Sequence, residues 1–231
     1  MPLRALQAIV FDFDGVIADS EHLHLRAYQQ VLAPEGISIS NEEYFERYLG
    51  YDDVGVFTAL LKDKGVPLDD GRMKELIERK GQRYESLAAA GDMLFPGAAD
   101  FIRTAAAAVP IAIASGALRH EIDEILEPAG LAGLFETIVA SGDTPQSKPS
   151  PAPYLLAFER LRKSTGRDLE GRRCVAIEDS RWGLESARGA GLRCVGVTNS
   201  YPADQLGNVE LVVSGLDELT LPNLEALCSS D

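Results

Sequence analysis

Ala8-Ile-Val-Phe-Asp-Phe-Asp-Gly15 packs four apolar residues, two of them β-branched, directly against two aspartates and a glycine. A short apolar run of this kind predicts a strand buried on both faces, with polar groups gathered at its carboxyl end. Three further runs have the same form: Ile111-Ala-Ile-Ala-Ser115, Cys174-Val-Ala-Ile177 and Cys194-Val-Gly-Val197. Thr137-Ile-Val-Ala140 and Leu211-Val-Val213 are shorter versions. Between them, apolar stripes at helical spacing run through Phe101-Ile102, through Ile122, Ile125 and Leu126, and through Tyr154, Leu155, Phe158 and Leu161. Ser150-Pro151 reads as the cap and first-turn pair of the last of these helices. Strands alternating with helices predict an α/β fold with a doubly wound, Rossmann-like parallel sheet, whose ligands bind at the carboxyl ends of the strands.

The alternation lapses between Asp19 and Asp92. His22–Leu32, Glu42–Leu49, Val54–Lys62 and Arg72–Ala90 all read as helices, and no convincing strand lies among them. The expected organisation is a core of residues 1–18 and 92–231 with an all-helical insert over 19–91. Gly91-Asp92 and Phe95-Pro-Gly97 punctuate the return to the core.

Of the 231 residues, 22 are Lys or Arg and 36 are Asp or Glu, a net charge of −14. Nucleic acid and anionic membranes are bound through an excess of Lys and Arg, so this balance argues against both. No stretch approaches the ~18 apolar residues of a membrane span, and the opening residues do not read as a signal peptide. Three cysteines, Cys174, Cys194 and Cys228, lack metal-ligand spacing and read as reduced thiols of a cytoplasmic protein.

Asp12 and Asp14 stand two residues apart at a strand end, where a period of two would put both carboxylates on one side. Gly15 lets the chain turn away without a side chain in the site. Glu178-Asp179 follows another strand, so four carboxylates are expected to converge on one crevice. Two like charges ~4 Å apart repel by ~4 kcal/mol even at an effective dielectric of ~20, so a cation or protons must balance them. An all-oxygen acidic set suits Mg²⁺ better than Zn²⁺. Ser115-Gly116, ahead of a helix, offers a hydroxyl and backbone N–H groups to a phosphate, and Lys148 a fixed positive charge.

Taken in this order, the residues resemble the haloacid dehalogenase-like hydrolase superfamily, in its subgroup of phosphatases and β-phosphoglucomutases. Phe11-Asp-Phe-Asp-Gly-Val16, Ser115, Lys148-Pro149 and Glu178-Asp-Ser180 fit its four motifs. Asp19-Ser-Glu-His-Leu-His24 fits the start of its helical cap. The resemblance implies Asp12 as nucleophile, Asp14 as general acid and base, and Ser115 and Lys148 as holders of the phosphoryl group. It also implies Mg²⁺ on Asp12, the carbonyl of Asp14 and Asp179, with Glu178 at or beside it. The expected activity is a Mg²⁺-dependent phosphatase acting on a small phosphorylated metabolite through an aspartyl-phosphate, as a monomer. A phosphosugar mutase and a pyrophosphatase are the main alternatives; a dehalogenase would lack the aspartate at position 14, and an idle regulatory protein would be marked by loss of Asp12 or Lys148.

Two departures from the family pattern stand out. Ala152 replaces an acidic residue common after the Lys148-Pro-Ser-Pro151 loop. Gly50-Tyr-Asp-Asp53 is acidic where mutases place an arginine for a second phosphate, and Asp52 and Asp53 would repel that phosphate unless they face away or hold a metal, which disfavours the mutase. His24, Gly50, Tyr51 and Asp52 are the candidate substrate contacts from the helical insert. Arg47, Arg119, Arg181 and Trp182 have surface or packing roles as their simpler reading.

Overall fold

The computed structural model describes residues 5–88, 93–207 and 209–229. The chain forms two compact units, one of Met1–Ala18 with Leu94–Asp231 and the other of Asp19–Met93. The expected return to the core at Gly91-Asp92 lies outside the described residues.

The chain opens with β1 (Ala8–Phe11), all four residues fully buried. It then enters the helical unit, made of α1 (Glu21–Leu32), α2 (Asn41–Arg47), α3 (Asp53–Asp63) and α4 (Asp70–Ala88). Ser40 caps α2 by accepting from the Glu43 N–H, and Asp52 caps α3 by accepting from the Gly55 N–H at 2.8 Å. Helices α1 and α4 pack along each other, with Leu23 and Ala27 of α1 against Tyr84 of α4.

Lys80 of α4 is 1% exposed, and a lysine is almost never so buried without a partner. Its Nζ lies 2.9 Å from Asp53 Oδ1 and 2.7 Å from His24 Nδ1, over the rings of Tyr28 and Tyr84. The Tyr28 hydroxyl donates to the same Asp53 oxygen. This pair ties the start of α3 to α1 and α4. Breaking a buried pair from one side costs ~3–5 kcal/mol, because the remaining charge stays buried. Lys80→Met is therefore expected to destabilise the helical unit by that order in urea unfolding, and Lys80→Met/Asp53→Leu to recover most of the loss. A double variant as unstable as the sum of the two singles would show the pair to be uncoupled.

The second unit continues with α5 (Ala98–Ala106), β2 (Ile111–Ala114), α6 (Arg119–Leu126), β3 (Thr137–Val139), α7 (Ala152–Thr165) and β4 (Cys174–Glu178). It ends with α8 (Arg181–Gly189), β5 (Arg193–Val197), β6 (Leu211–Val213) and α9 (Leu221–Ser229). The strands form one parallel sheet in the order β3-β2-β1-β4-β5-β6. This is the expected α/β doubly wound fold. The two shortest runs, Thr137–Val139 and Leu211–Val213, are its edges, where one neighbour suffices and less apolar length is needed. Phe11 anchors one face of the sheet edge-on against Phe101 and Phe135, with ring centroids 6.1 Å apart in both cases.

Two local expectations are corrected. Helix α7 begins at Ala152 with Pro151 at its cap position, one residue later than the Ser150-Pro151 pairing predicts. The Ser150 hydroxyl still accepts from the Ala152 N–H at 3.3 Å. Strand β1 ends at Phe11, before the aspartates. The N–H groups of Ile17 and Ala18 both donate to the Phe13 carbonyl, so Asp14 lies in a tight loop where strand alternation no longer holds.

Candidate active site

Strand order places the site. The chain moves from β1 outward to β2 and β3, then returns to lay β4 on the other side of β1. The reversal opens a crevice at the carboxyl ends of β1 and β4. Asp12 follows β1 directly, and its N–H still donates to the Ile177 carbonyl at 2.9 Å, continuing the ladder by one residue. Glu178 closes β4, and Asp179 comes next.

Asp12, Glu178 and Asp179 are buried, and each offers a carboxylate oxygen within 4.8 Å of the others. Asp14 is half-buried, and its carboxylate is not one of these three.

Lys148, 4% exposed, comes from the loop between β3 and α7. Its Nζ lies 2.7 Å from Asp12 Oδ1 and 2.6 Å from Glu178 Oε1. The Tyr154 hydroxyl donates to Glu178 Oε1 at 2.9 Å, and the Ser180 hydroxyl and N–H donate to Oε2. Both Glu178 oxygens are thus engaged. A Cβ at Gly183 would lie 1.9 Å from that carboxylate, so the third residue of α8 must be glycine. The Phe13 N–H donates to Asp12 Oδ1 at 2.7 Å.

Burial, and then the charge of Glu178, push the Asp12 carboxyl well above the usual carboxylate range, with Lys148 opposing. Burial alone would lower Lys148, but the Asp12 and Glu178 carboxylates outweigh it and raise the ammonium above an ordinary lysine. One ammonium faces three buried carboxylates, so the crevice carries excess negative charge. An all-oxygen set with this excess fits a hard divalent cation.

Ser115 follows β2 as Asp12 follows β1, and its hydroxyl accepts from the Ala117 N–H at 2.9 Å. Gly116 is half-buried in the same loop. Gly15, at φ +76°, has no room for a side chain, since a Cβ would meet Asp179 Oδ2 at 1.8 Å.

The candidates from the helical unit lie as follows. His24 is buried and stacked on Tyr84, with centroids 4.2 Å apart. Gly50 has φ +89°, and Tyr51 and Asp52 are half-buried. Asp52 accepts the Gly55 N–H as the cap of α3, and the charge of Asp53 is paired with Lys80. Arg47 pairs with Asp63, Arg119 with Asp123, and Arg181 stacks on Trp182.

Tyr154, Asn199 and Ser200 belong to the site's surroundings but escape sequence reasoning. Tyr154 reads as one residue of an apolar helical stripe, and Asn199-Ser200 as an ordinary turn after a strand. Ser200 donates to Asp179 Oδ2, and Asn199 Nδ2 donates to the Gly15 carbonyl at 2.8 Å.

A buried acidic crevice with one bridging lysine thus lies at the reversal of a doubly wound sheet, where α/β enzymes of this topology bind their ligands. A model of the haloacid dehalogenase-like hydrolases matches residues 6–191, and the chain belongs to that family. It is 34% identical to protein CbbY of Rhodobacter capsulatus, over 85% of this chain and 87% of that protein. It is 28% identical to hexitol phosphatase B of Escherichia coli O157:H7, over 96% of this chain and 97% of that one. Its fold is similar to that of CbbY from Rhodobacter sphaeroides in complex with xylulose-1,5-bisphosphate, with a TM-score of 0.82 and 28% identity. That match covers 95% of this chain and 99% of the other. The chain is a phosphoric monoester hydrolase of this family.

Proposed function

We propose that this enzyme is a Mg²⁺-dependent phosphatase of small phosphorylated sugars and that it works through an aspartyl-phosphate on Asp12. The observation that carries the reading is Lys148, whose ammonium bridges Asp12 and Glu178 at the head of the crevice. A buried, permanently charged lysine beside a carboxylate lets a phosphate dianion approach that carboxylate. Sugar phosphates as the class follow the relatives, one named a hexitol phosphatase and another bound to a sugar bisphosphate.

In this mechanism an Asp12 oxygen forms a bond to phosphorus as the ester oxygen leaves, and Asp14 gives that oxygen its proton. Water then attacks the aspartyl-phosphate, Asp14 takes its proton, and inorganic phosphate departs. Lys148, with Ser115 and the N–H groups at Gly116, holds the phosphoryl oxygens. Asp12, Asp179 and the Asp14 carbonyl are the ligands for Mg²⁺, with Glu178 beside them holding Lys148. Mg²⁺, when bound, supplies positive charge against the carboxylates and the phosphoryl group.

The helical unit is the cap of this enzyme, with His24, Gly50, Tyr51 and Asp52 as its candidates for substrate contact; the hinge expected at Gly91-Asp92 lies outside the described residues. The net charge of −14 supports small molecules, and neither nucleic acid nor membrane, as partners. None of the described helices is long and apolar enough to cross a membrane. Three buried thiols support a reducing, cytoplasmic setting and a monomer without intermolecular disulfides.

Phosphate release across sugar mono- and bisphosphates, phosphoglycolate, nucleotides and pyrophosphate tests the reading, with Mg²⁺ and with EDTA. Release from sugar phosphates, lost in EDTA, is expected. An isomerised sugar phosphate without free phosphate would establish the mutase instead, and pyrophosphate as the best substrate would establish the pyrophosphatase.

A further inference from the structure

The loop after β5 is tied down at both ends. The Thr198 N–H donates to the Val213 carbonyl at 3.0 Å, and Tyr201, 6% exposed, packs edge-on against Trp182 at 6.2 Å between centroids. Between these anchors the loop sends two side chains into different walls of the crevice. Ser200 Oγ donates to Asp179 Oδ2, and Asn199 Nδ2 donates to the Gly15 carbonyl at 2.8 Å. The third side of Asp179 is Gly15 itself: a Cβ there would fall 1.8 Å from Asp179 Oδ2 and 3.0 Å from Ser200 Oγ. The acidic side chain is therefore gripped between the turn that follows Asp14 and the loop after β5.

We propose that Ser200 and Asn199 are positioning residues for the metal site, Ser200 by fixing the carboxylate of Asp179 and Asn199 by fixing the turn at Gly15. The inference rests on the reading of Asp12 and Asp179 as cation ligands. A carboxylate with one oxygen held by a hydroxyl cannot rotate freely, so its other lone pairs stay aimed where a cation can meet them. Such supporting hydrogen bonds typically change metal affinity by ~10–100-fold when removed. The turn at Gly15 matters for the same reason, because it carries the Asp14 carbonyl one residue upstream.

Mn²⁺ binding to the whole protein, followed by the paramagnetic resonance of the free ion, tests this without relying on turnover. Ser200→Ala is expected to weaken Mn²⁺ binding by ~10–100-fold and to raise the Mg²⁺ concentration for half-activation by a similar factor. The KM for substrate at saturating Mg²⁺ should change little. Thermal unfolding should show the metal-free variant still folding cooperatively, and Ser200→Thr, which keeps the hydroxyl, should restore affinity. Asn199→Ala should move affinity in the same direction. Mn²⁺ affinity unchanged in folded Ser200→Ala would overturn the role of Ser200. Failure of the parent protein itself to bind Mn²⁺ would overturn the metal reading beneath it, and the two results are distinct.

Discussion

Asp12→Asn is expected to lower kcat by on the order of 10⁴-fold or more, the size of loss seen when a covalent nucleophile is removed. An amide oxygen cannot form the phosphoenzyme, yet the side chain keeps its shape. Its Oδ1 can still accept from the Phe13 N–H and from Lys148, now 2.7 Å away in both cases, so the loop should stand. Stability should move the opposite way. Burial and the neighbouring Glu178 disfavour the ionised Asp12 carboxylate in the folded protein. At neutral pH that charge therefore opposes folding in the absence of metal, and a neutral side chain relieves it. Rapid-quench phosphate release and metal-free thermal unfolding, run on the same preparation, would show a dead enzyme that melts higher. Turnover within a hundredfold of the parent would remove Asp12 from the role of nucleophile. A trade of stability for function at one carboxylate is the general cost of a preorganised site.

Lys148→Met is expected to cost ~10²–10³-fold in kcat, the loss typical of one missing charge-stabilising donor, and to destabilise the fold as well. Methionine keeps much of the apolar stem but removes the ammonium, which lies over the Tyr154 ring and between Asp12 and Glu178. Two buried carboxylates then lack their cation, a change worth ~3–5 kcal/mol when one partner of a buried pair is lost. The pH dependence has a definite sign. The lysine's pKa is raised in the folded state, so its contribution is complete below the ordinary lysine value and fades only as pH rises through the folded one. The stability difference between parent and variant should hold steady from neutral pH to about 9, below the ~10.4 of a free lysine. Lys148→Arg should restore little, because a planar guanidinium does not fit a space shaped for a point charge. Urea unfolding with and without Mg²⁺, beside kcat and KM, separates the chemical loss from the structural one. A variant as stable as the parent would show that the bridge adds nothing to folding.

The site was legible where chemistry and chain neighbourhood coincide. Asp12, Glu178 and Asp179 each end or follow an apolar run, and a parallel sheet brings such ends to one edge whatever the loops do. Lys148 was legible by resemblance, but its bridge to Asp12 and Glu178 came from packing. Ser150-Pro151 misplaced the start of α7 by one residue, because either side of Pro151 offers a plausible cap and only the packed loop selects one. Asp14 misled for a related reason: alternation describes strands, and β1 had ended at Phe11.

By itself, the order of apolar runs determined a parallel α/β core, and the helical spacing from Asp19 onward determined an inserted helical unit. Those patterns are local, written into residues one to four apart. The tertiary structure decided which charges meet. Asp53 reads as a repulsive acid in the chain, yet it is neutralised by Lys80, 27 residues away. Tyr154 and Ser200 read as packing and turn, yet they donate to Glu178 and Asp179. Hydrogen bonds and ion pairs act over a few ångströms in space and carry no periodicity along the chain. Only the packed sheet and its loops could assign those partners.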